Sequence, residues 1–115
     1  MRSKRIEKPW GYEDIFAHTS YYVGKILFIN KGHRLSRQYH EVKDETIYVI
    51  SGALELQVGR QDNCTVLKLS EGESFHVTPG TVHRFCAPYG DVKLMEVSTP
   101  ELDDVVRLED DYGRG

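Results

Sequence analysis

The chain has 115 residues, of which 39% are hydrophobic and 29% charged, with a formal net charge of −3. That length supports one hydrophobic core, and that balance describes an ordinary folded protein rather than a disordered or fibrous one. The charge excludes a general nucleic-acid binder, and no apolar run approaches the ~20 residues of a membrane helix.

The opening "MRSKRIEKPWGYED" is basic but lacks the apolar stretch of a secretory signal. Its start is therefore expected to be the mature one and the protein cytoplasmic, with no membrane partner. Trp10 and Tyr12, followed by Tyr21 and Tyr22, make this region rich in aromatic rings. Rings of this kind cover sheet edges in a homodimer or cap the chain's own barrel; the homodimer is the expectation taken here.

From there the dominant period is two. In "YYVGKILFIN" (21–30), Lys25, Leu27 and Ile29 share one side, and Ile26, Phe28 and Asn30 the other. In "RQYHEVKDE" (37–45), Gln38 and His40 share a face before a polar bend, after which Glu45 opens the run "TIYVISG" (46–52). Antiparallel pairing of the two stretches brings Glu45 beside Gln38 and His40. "ALELQVG" (53–59) alternates cleanly, with Leu54, Leu56 and Val58 on one face. Cys64 and Cys86 form no paired motif and read as small buried hydrophobes. "TPGTVHRF" (78–85) makes a Pro-Gly turn and delivers His83 to the start of another strand. In "DVKLMEVS" (91–98), Glu96 shares a face with Val92 and Leu94, as a barrel-lining acid or base or as a paired structural carboxylate. Roughly eight to ten short strands without a convincing helix imply an all-β sandwich or barrel. The tail "PELDDVVRLEDDYGRG" reads on composition either as a cover over a barrel mouth or as a solvated acidic end. Singly, His40 and His83 read as ordinary half-buried histidines and Glu45 as a hairpin residue.

The order Gly32, Gln38, His40, Glu45, Gly52, then Gly72, Gly80, His83 resembles the two signature motifs of the cupin family almost position by position. Gln38 stands where the usual first motif has histidine, and Thr78 where the second has proline. The resemblance implies a single-domain cupin-type β-barrel, the double-stranded β-helix or jelly roll. It divides into an N-terminal strand at about 8–18, a barrel at about 20–99 and a C-terminal cover at 100–115. It also implies that Gln38, His40, Glu45 and His83 hold one divalent metal ion. Two imidazoles, a carboxylate and an amide oxygen suit zinc first, with manganese, iron, cobalt or nickel as alternatives.

Further stretches narrow the resemblance. "KPWGYED", "GHRLSRQYH", "PGTVHRF" and "DDVVRLEDDYGR" are similar to stretches of the C-terminal cupin of type II mannose-6-phosphate isomerases, where that domain is often fused to a sugar-nucleotide transferase. This implies a metal-dependent sugar or sugar-phosphate isomerase with a small-molecule sugar or sugar phosphate as partner. It also favours the cover over the solvated tail. Lys25 and Glu96 are the candidates for moving the proton, and Arg37, His76, Arg84 and Arg107 those for binding substrate. Arg114 is a further candidate phosphate clamp. The isomerases carry a His-His-Arg-Ala-Glu-His-Trp run after the first ligand histidine, where this chain reads Glu41 to Ile47. The basic and aromatic residues of that run are taken as lost, which keeps two alternatives open: a non-catalytic metal-containing carbohydrate-binding or regulatory cupin, and a metal-dependent oxygenase.

Overall fold

The computed structural model describes residues 2–114. Eleven strands form two antiparallel sheets, and no helix is present among the described residues. In chain order these are β1 (Lys4–Lys8), β2 (Gly11–His18), β3 (Val23–Ile29), β4 (Arg37–Tyr39), β5 (Glu45–Ser51) and β6 (Leu54–Arg60). There follow β7 (Asn63–Leu69), β8 (Ser74–Val77), β9 (His83–Cys86), β10 (Val92–Ser98) and β11 (Val106–Glu109). One sheet runs β1-β2-β3-β10-β5-β8 and the other β11-β4-β9-β6-β7. This is the all-β architecture expected from the alternating sequence, in the jelly-roll form that the family resemblance implies.

The period-two pattern becomes an inside and an outside. Val92, Leu94, Glu96 and Ser98 of β10 are buried, as are Val23, Lys25, Leu27 and Ile29 of β3. Trp10, Leu27, Ile29, Leu35, Ile47, Val49, Leu54, Leu56, Phe85, Ala87, Val92 and Leu94 form one continuous apolar cluster. Each such large side chain contributes about 1.5–3 kcal/mol on burial. The remaining interior is polar: Lys25, His40, Lys43, Glu45, His83 and Glu96 are all buried. The interior thus divides into an apolar part that supplies stability and a polar part with work to do.

The early aromatic residues separate. Trp10 is 2% exposed and belongs to the core, so it is no dimer surface. Tyr12 stacks on Phe28 and lies under Arg5. Tyr21 and Tyr22 remain exposed.

The described part of the tail is tied to the five-stranded sheet. Strand β11 pairs with β4, and the residues after it are tied down by charge: Asp111 accepts hydrogen bonds from Arg34 and Arg84, and Arg37 donates to Glu109. His33 stacks on Tyr112, with its Nδ1 2.8 Å from the Tyr112 hydroxyl. One turn requires glycine. Gly52 joins β5 to β6 at φ +83, and a Cβ there would stand 2.3 Å from the Asp91 carbonyl oxygen.

Candidate metal centre and acid–base pocket

Three side chains converge from both sheets. His40 follows β4, His83 opens β9 in the same sheet, and Glu45 opens β5 in the opposite one. Two local devices bring the histidines together. In the Pro79-Gly80 turn, the Gly80 amide donates to the His40 carbonyl at 2.7 Å, and Thr81 N–H donates to Thr78 O. Gly80 has φ +81, a conformation in which glycine carries no Cβ penalty. From the C-terminal segment, the Asp104 carboxylate accepts the amides of Glu41, Val42 and Lys43 at 3.1, 2.8 and 2.9 Å, which fixes the bend after His40.

Each ring is oriented by a backbone carbonyl. His40 Nδ1 lies 2.5 Å from Asp104 O, and His83 Nδ1 lies 2.9 Å from Thr81 O. A carbonyl only accepts, so each Nδ1 carries the proton and each Nε2 faces inward. There both meet one oxygen: Glu45 Oε1 is 2.9 Å from His40 Nε2 and 3.4 Å from His83 Nε2. The second contact is off the hydrogen-bonding direction, leaving His83 Nε2 and Glu45 Oε2 buried without a hydrogen-bond partner among the described residues. Burial pushes the Glu45 carboxyl up, but contacts with His40, His83 and Glu96 and the charge of Lys43 win and hold it well below the ordinary carboxylate range. An ionised carboxylate facing two imidazole nitrogens needs positive charge between them. One divalent cation satisfies all three groups, and the ligand atoms lie within 4.8 Å of one another. The donor set therefore fits a metal ion.

Gln38 shares the inward face. It pairs with His83 across β4–β9, and its Oε1 accepts from Ser36 Oγ at 2.7 Å.

Beside the cluster runs a chain of buried charges. Lys43 Nζ lies 3.7 Å from Glu45 Oε2 and 3.0 Å from Glu96 Oε2; Lys25 Nζ lies 3.6 Å from Glu96 Oε2 and 3.4 Å from Glu13 Oε2. Burial and then the Glu45 charge push the Glu96 carboxyl up to about 7, against the opposing pull of Lys25 and Lys43. Burial works to lower the Lys25 ammonium, yet Glu96, Glu13 and Glu45 outweigh it and leave Lys25 raised. Lys25, Gln38, His40, Lys43, Glu96 and Arg107 all line one polar cavity of about 100 Å³. A carboxyl poised near neutrality between two ammonium groups is suited to accepting and returning a proton.

Three expected substrate-binding residues lie elsewhere, and alternation explains each. Gln38 and His83 point inward, so their chain neighbours Arg37 and Arg84 point to the opposite face. Arg37 is held by Glu109, Gln57 Oε1 (2.6 Å) and Gly59 O (3.1 Å). Arg84 donates to Leu35 O and Asp111, both at 2.8 Å. Both hold the C-terminal segment against the sheet. His76, next to buried Val77, faces outward and pairs with Asp44 at 2.6 Å.

Two residues of the site went unread in the sequence. Lys43 holds the position of arginine in the isomerases' run, so a basic group beside the cluster is retained rather than lost, 4% exposed and paired with Glu96. Its signal was that same position. Asp104 had no local signal, because its partners at 40–43 are distant in sequence.

A family model described as a cupin domain matches residues 26–98, more than half of the chain. The chain is similar to the xanthan biosynthesis protein XanB of Xanthomonas campestris, 32% identical over 115 residues, covering 96% of this chain and 24% of that protein. It is 36% identical over 117 residues to the mannose-1-phosphate guanylyltransferase ManC of Salmonella typhimurium, covering 96% of this chain and 23% of that one. It is 33% identical over 114 residues to the alginate biosynthesis protein AlgA of Pseudomonas aeruginosa, covering 95% and 23%. The chain thus spans about a quarter of the length of these relatives. Among solved structures, KdgF from Halomonas superposes with a TM-score of 0.76 at 24% identity, covering 87% of this chain and 88% of that one. The capsular polysaccharide assembling protein CapF from Staphylococcus aureus gives 0.80 at 16%, covering 93% and 34%. These two likenesses describe the fold. With its motifs, its two sheets and its family match in agreement, the chain belongs to the cupin family, and its relatives include proteins of sugar-nucleotide and polysaccharide biosynthesis.

Proposed function

We propose that this chain is a metal-dependent aldose–ketose isomerase acting on a small sugar or sugar phosphate. The observation that carries the reading is the contact between the His40/Glu45/His83 cluster and the Glu96–Lys43–Lys25 chain of buried charges, at 3.7 Å between Lys43 Nζ and Glu45 Oε2. His40, Glu45 and His83 would hold the ion, with Gln38 as a neutral fourth ligand and zinc as the first choice. When bound, a divalent ion with one carboxylate ligand keeps net positive charge and polarises carbonyl and hydroxyl oxygens.

The remaining work belongs to the chain's own groups. Glu96, its carboxyl pushed up to about 7, takes the proton from the carbon beside the sugar carbonyl and returns it to the former carbonyl carbon, while the hydroxyl proton of the first carbon passes to the former carbonyl oxygen. Lys43 and Lys25 flank it and hold negative charge on the carboxylate while the proton is away. Their ammonium groups also supply fixed positive charge to the enediolate oxygens. Burial lowers the local dielectric, which strengthens each of these electrostatic contacts.

The test is turnover of a panel of aldoses, ketoses and their phosphates by protein reconstituted with zinc, manganese, iron, cobalt or nickel, followed by NMR. Interconversion of at least one pair supports the reading; none with any metal rejects it. A second reading, a carbohydrate-binding or regulatory cupin, is favoured by one observation: Glu41 and Val42 are exposed where the isomerases carry two histidines. Sugar binding without turnover would select it.

A further inference from the structure

Arg107 differs from the other arginines that are partly or fully buried. Arg34 and Arg84 pair with Asp111, Arg37 with Glu109 and Arg114 with Asp110. Arg107 makes no ion pair among the described residues, and its Nε is buried with no hydrogen-bond partner there. Buried N–H groups without a partner are rare, so such an exception calls for a ligand.

Its place in the sheet says where that ligand sits. Arg107 is registered opposite Gln38 across β11–β4, and Gln38 opposite His83 across β4–β9. Directly opposed residues on antiparallel strands project to one face, so Arg107, Gln38 and His83 form an inward row that ends at the metal-ligand cluster. Arg107 lines the same cavity as Glu96 and His40.

The charge balance of that cavity says what the ligand is. Its lining includes five cations. Lys25 and Lys43 are matched by Glu13, Glu96 and Glu45, and Arg114 by Asp110. Lys8 and Arg107 have no carboxylate partner among the described residues. A guanidinium fork fits the paired oxygens of a carboxylate or phosphate, and an ammonium adds a point charge.

We propose that Arg107 and Lys8 form an oxyanion subsite that takes the phosphate or carboxylate group of the ligand and fixes its distance from the acid–base residues. The subsite rests on the sugar-isomerase reading only for what lies at the ligand's other end. Strand β11 supplies the rigidity, since Arg107 hangs from a paired strand rather than a loop.

The test is calorimetric titration of the full metal-loaded chain, at fixed ionic strength, with inorganic phosphate, mannose 6-phosphate, glucuronate and mannose. Wild type is expected to bind at least one charged sugar more tightly than mannose, with mannose 6-phosphate or glucuronate ahead according to which oxyanion is native. Arg107→Gln should weaken the charged ligands about tenfold or more while leaving mannose binding and metal content unchanged. Arg107→Lys should recover part of the loss, and Arg60→Gln, which removes an exposed arginine, should change nothing. If Arg107→Gln fails to fold, Lys8→Gln carries the test, with an expected severalfold weakening for the same ligands. Equal affinity for charged and neutral sugars, or unchanged binding in a folded Arg107→Gln protein, overturns the proposal. Turnover of neutral sugars with no preference for charge removes the subsite alone; tight anion binding without any turnover removes the isomerase reading alone.

Discussion

Lys43 Nζ lies 3.0 Å from Glu96 Oε2, and both side chains are 4% exposed. The pair joins strand β10 to the bend between β4 and β5 and stands between the metal-ligand cluster and the rest of the charged chain. Removing one partner from a buried ion pair strands the other charge, at a cost of about 3–5 kcal/mol. Lys43→Met is therefore expected to lower unfolding stability by about 3 kcal/mol, measured by urea denaturation. The double variant Lys43→Met/Glu96→Gln should lose less than the sum of the two single losses. Strict additivity would show that the two side chains act independently.

The metal prediction rests on the inward Nε2 atoms. Protein purified without chelator should carry about one divalent ion per chain by elemental analysis, and His83→Ala should lose most of it. Because only the folded state offers the site, saturating metal should stabilise the chain by roughly 2.7 kcal/mol at 100 times the dissociation constant. Wild-type protein that stays metal-free after reconstitution would refute the assignment.

Asp104 carries the pH prediction. Hydrogen bonds from the amides of Lys43, Val42 and Glu41 hold its carboxyl below the ordinary 3.8. A carboxyl lowered in the folded state stabilises the fold above its unfolded value and loses that contribution as pH falls through the folded value. Acid below 3.8 should thus release the 41–43 bend, on which both His40 and Lys43 depend. Amide exchange at 41–43, followed as the pH is lowered, should accelerate relative to β5, and Asp104→Ala should show fast exchange at every pH. Protection that persists in Asp104→Ala would contradict this.

For the homodimer, the surface shifts from Trp10 to Tyr21 (83% exposed), Tyr22, Phe16 and Val97, which line one groove at the ends of β2, β3, β10 and β5 in the six-stranded sheet. Exposed aromatic groups gathered in this way are what an interface core requires. Light scattering should give twice the 13.2 kDa of one chain, and Tyr21→Asp/Tyr22→Asp should return the single-chain mass. A wild-type monomer at all concentrations would reject the dimer.

Alternation made much of the interior readable. Once Leu27 and Ile29 are core, Lys25 must face inward, and Val92 and Leu94 do the same for Glu96. The same logic was available for Arg37 and Arg84, neighbours of inward-facing Gln38 and His83, but their chemistry suggested substrate binding and outweighed it. Lys43 has no such local signal, because lysine is almost never fully buried unless paired, and its partners Glu45 and Glu96 lie on β5 and β10. The grip of Asp104 on the 41–43 bend joins segments more than sixty residues apart and leaves no local pattern.

Deuterium exchange at the carbon next to the sugar carbonyl decides whether Glu96 moves a carbon-bound proton. It detects enediolate formation even where net isomerisation is slow. Metal-loaded protein in heavy water should exchange that position in at least one aldose, ketose or sugar phosphate. Glu96→Gln should cut the rate by about 100-fold or more while keeping its metal. Metal-loaded wild type that exchanges no deuterium with any of these sugars would contradict the account.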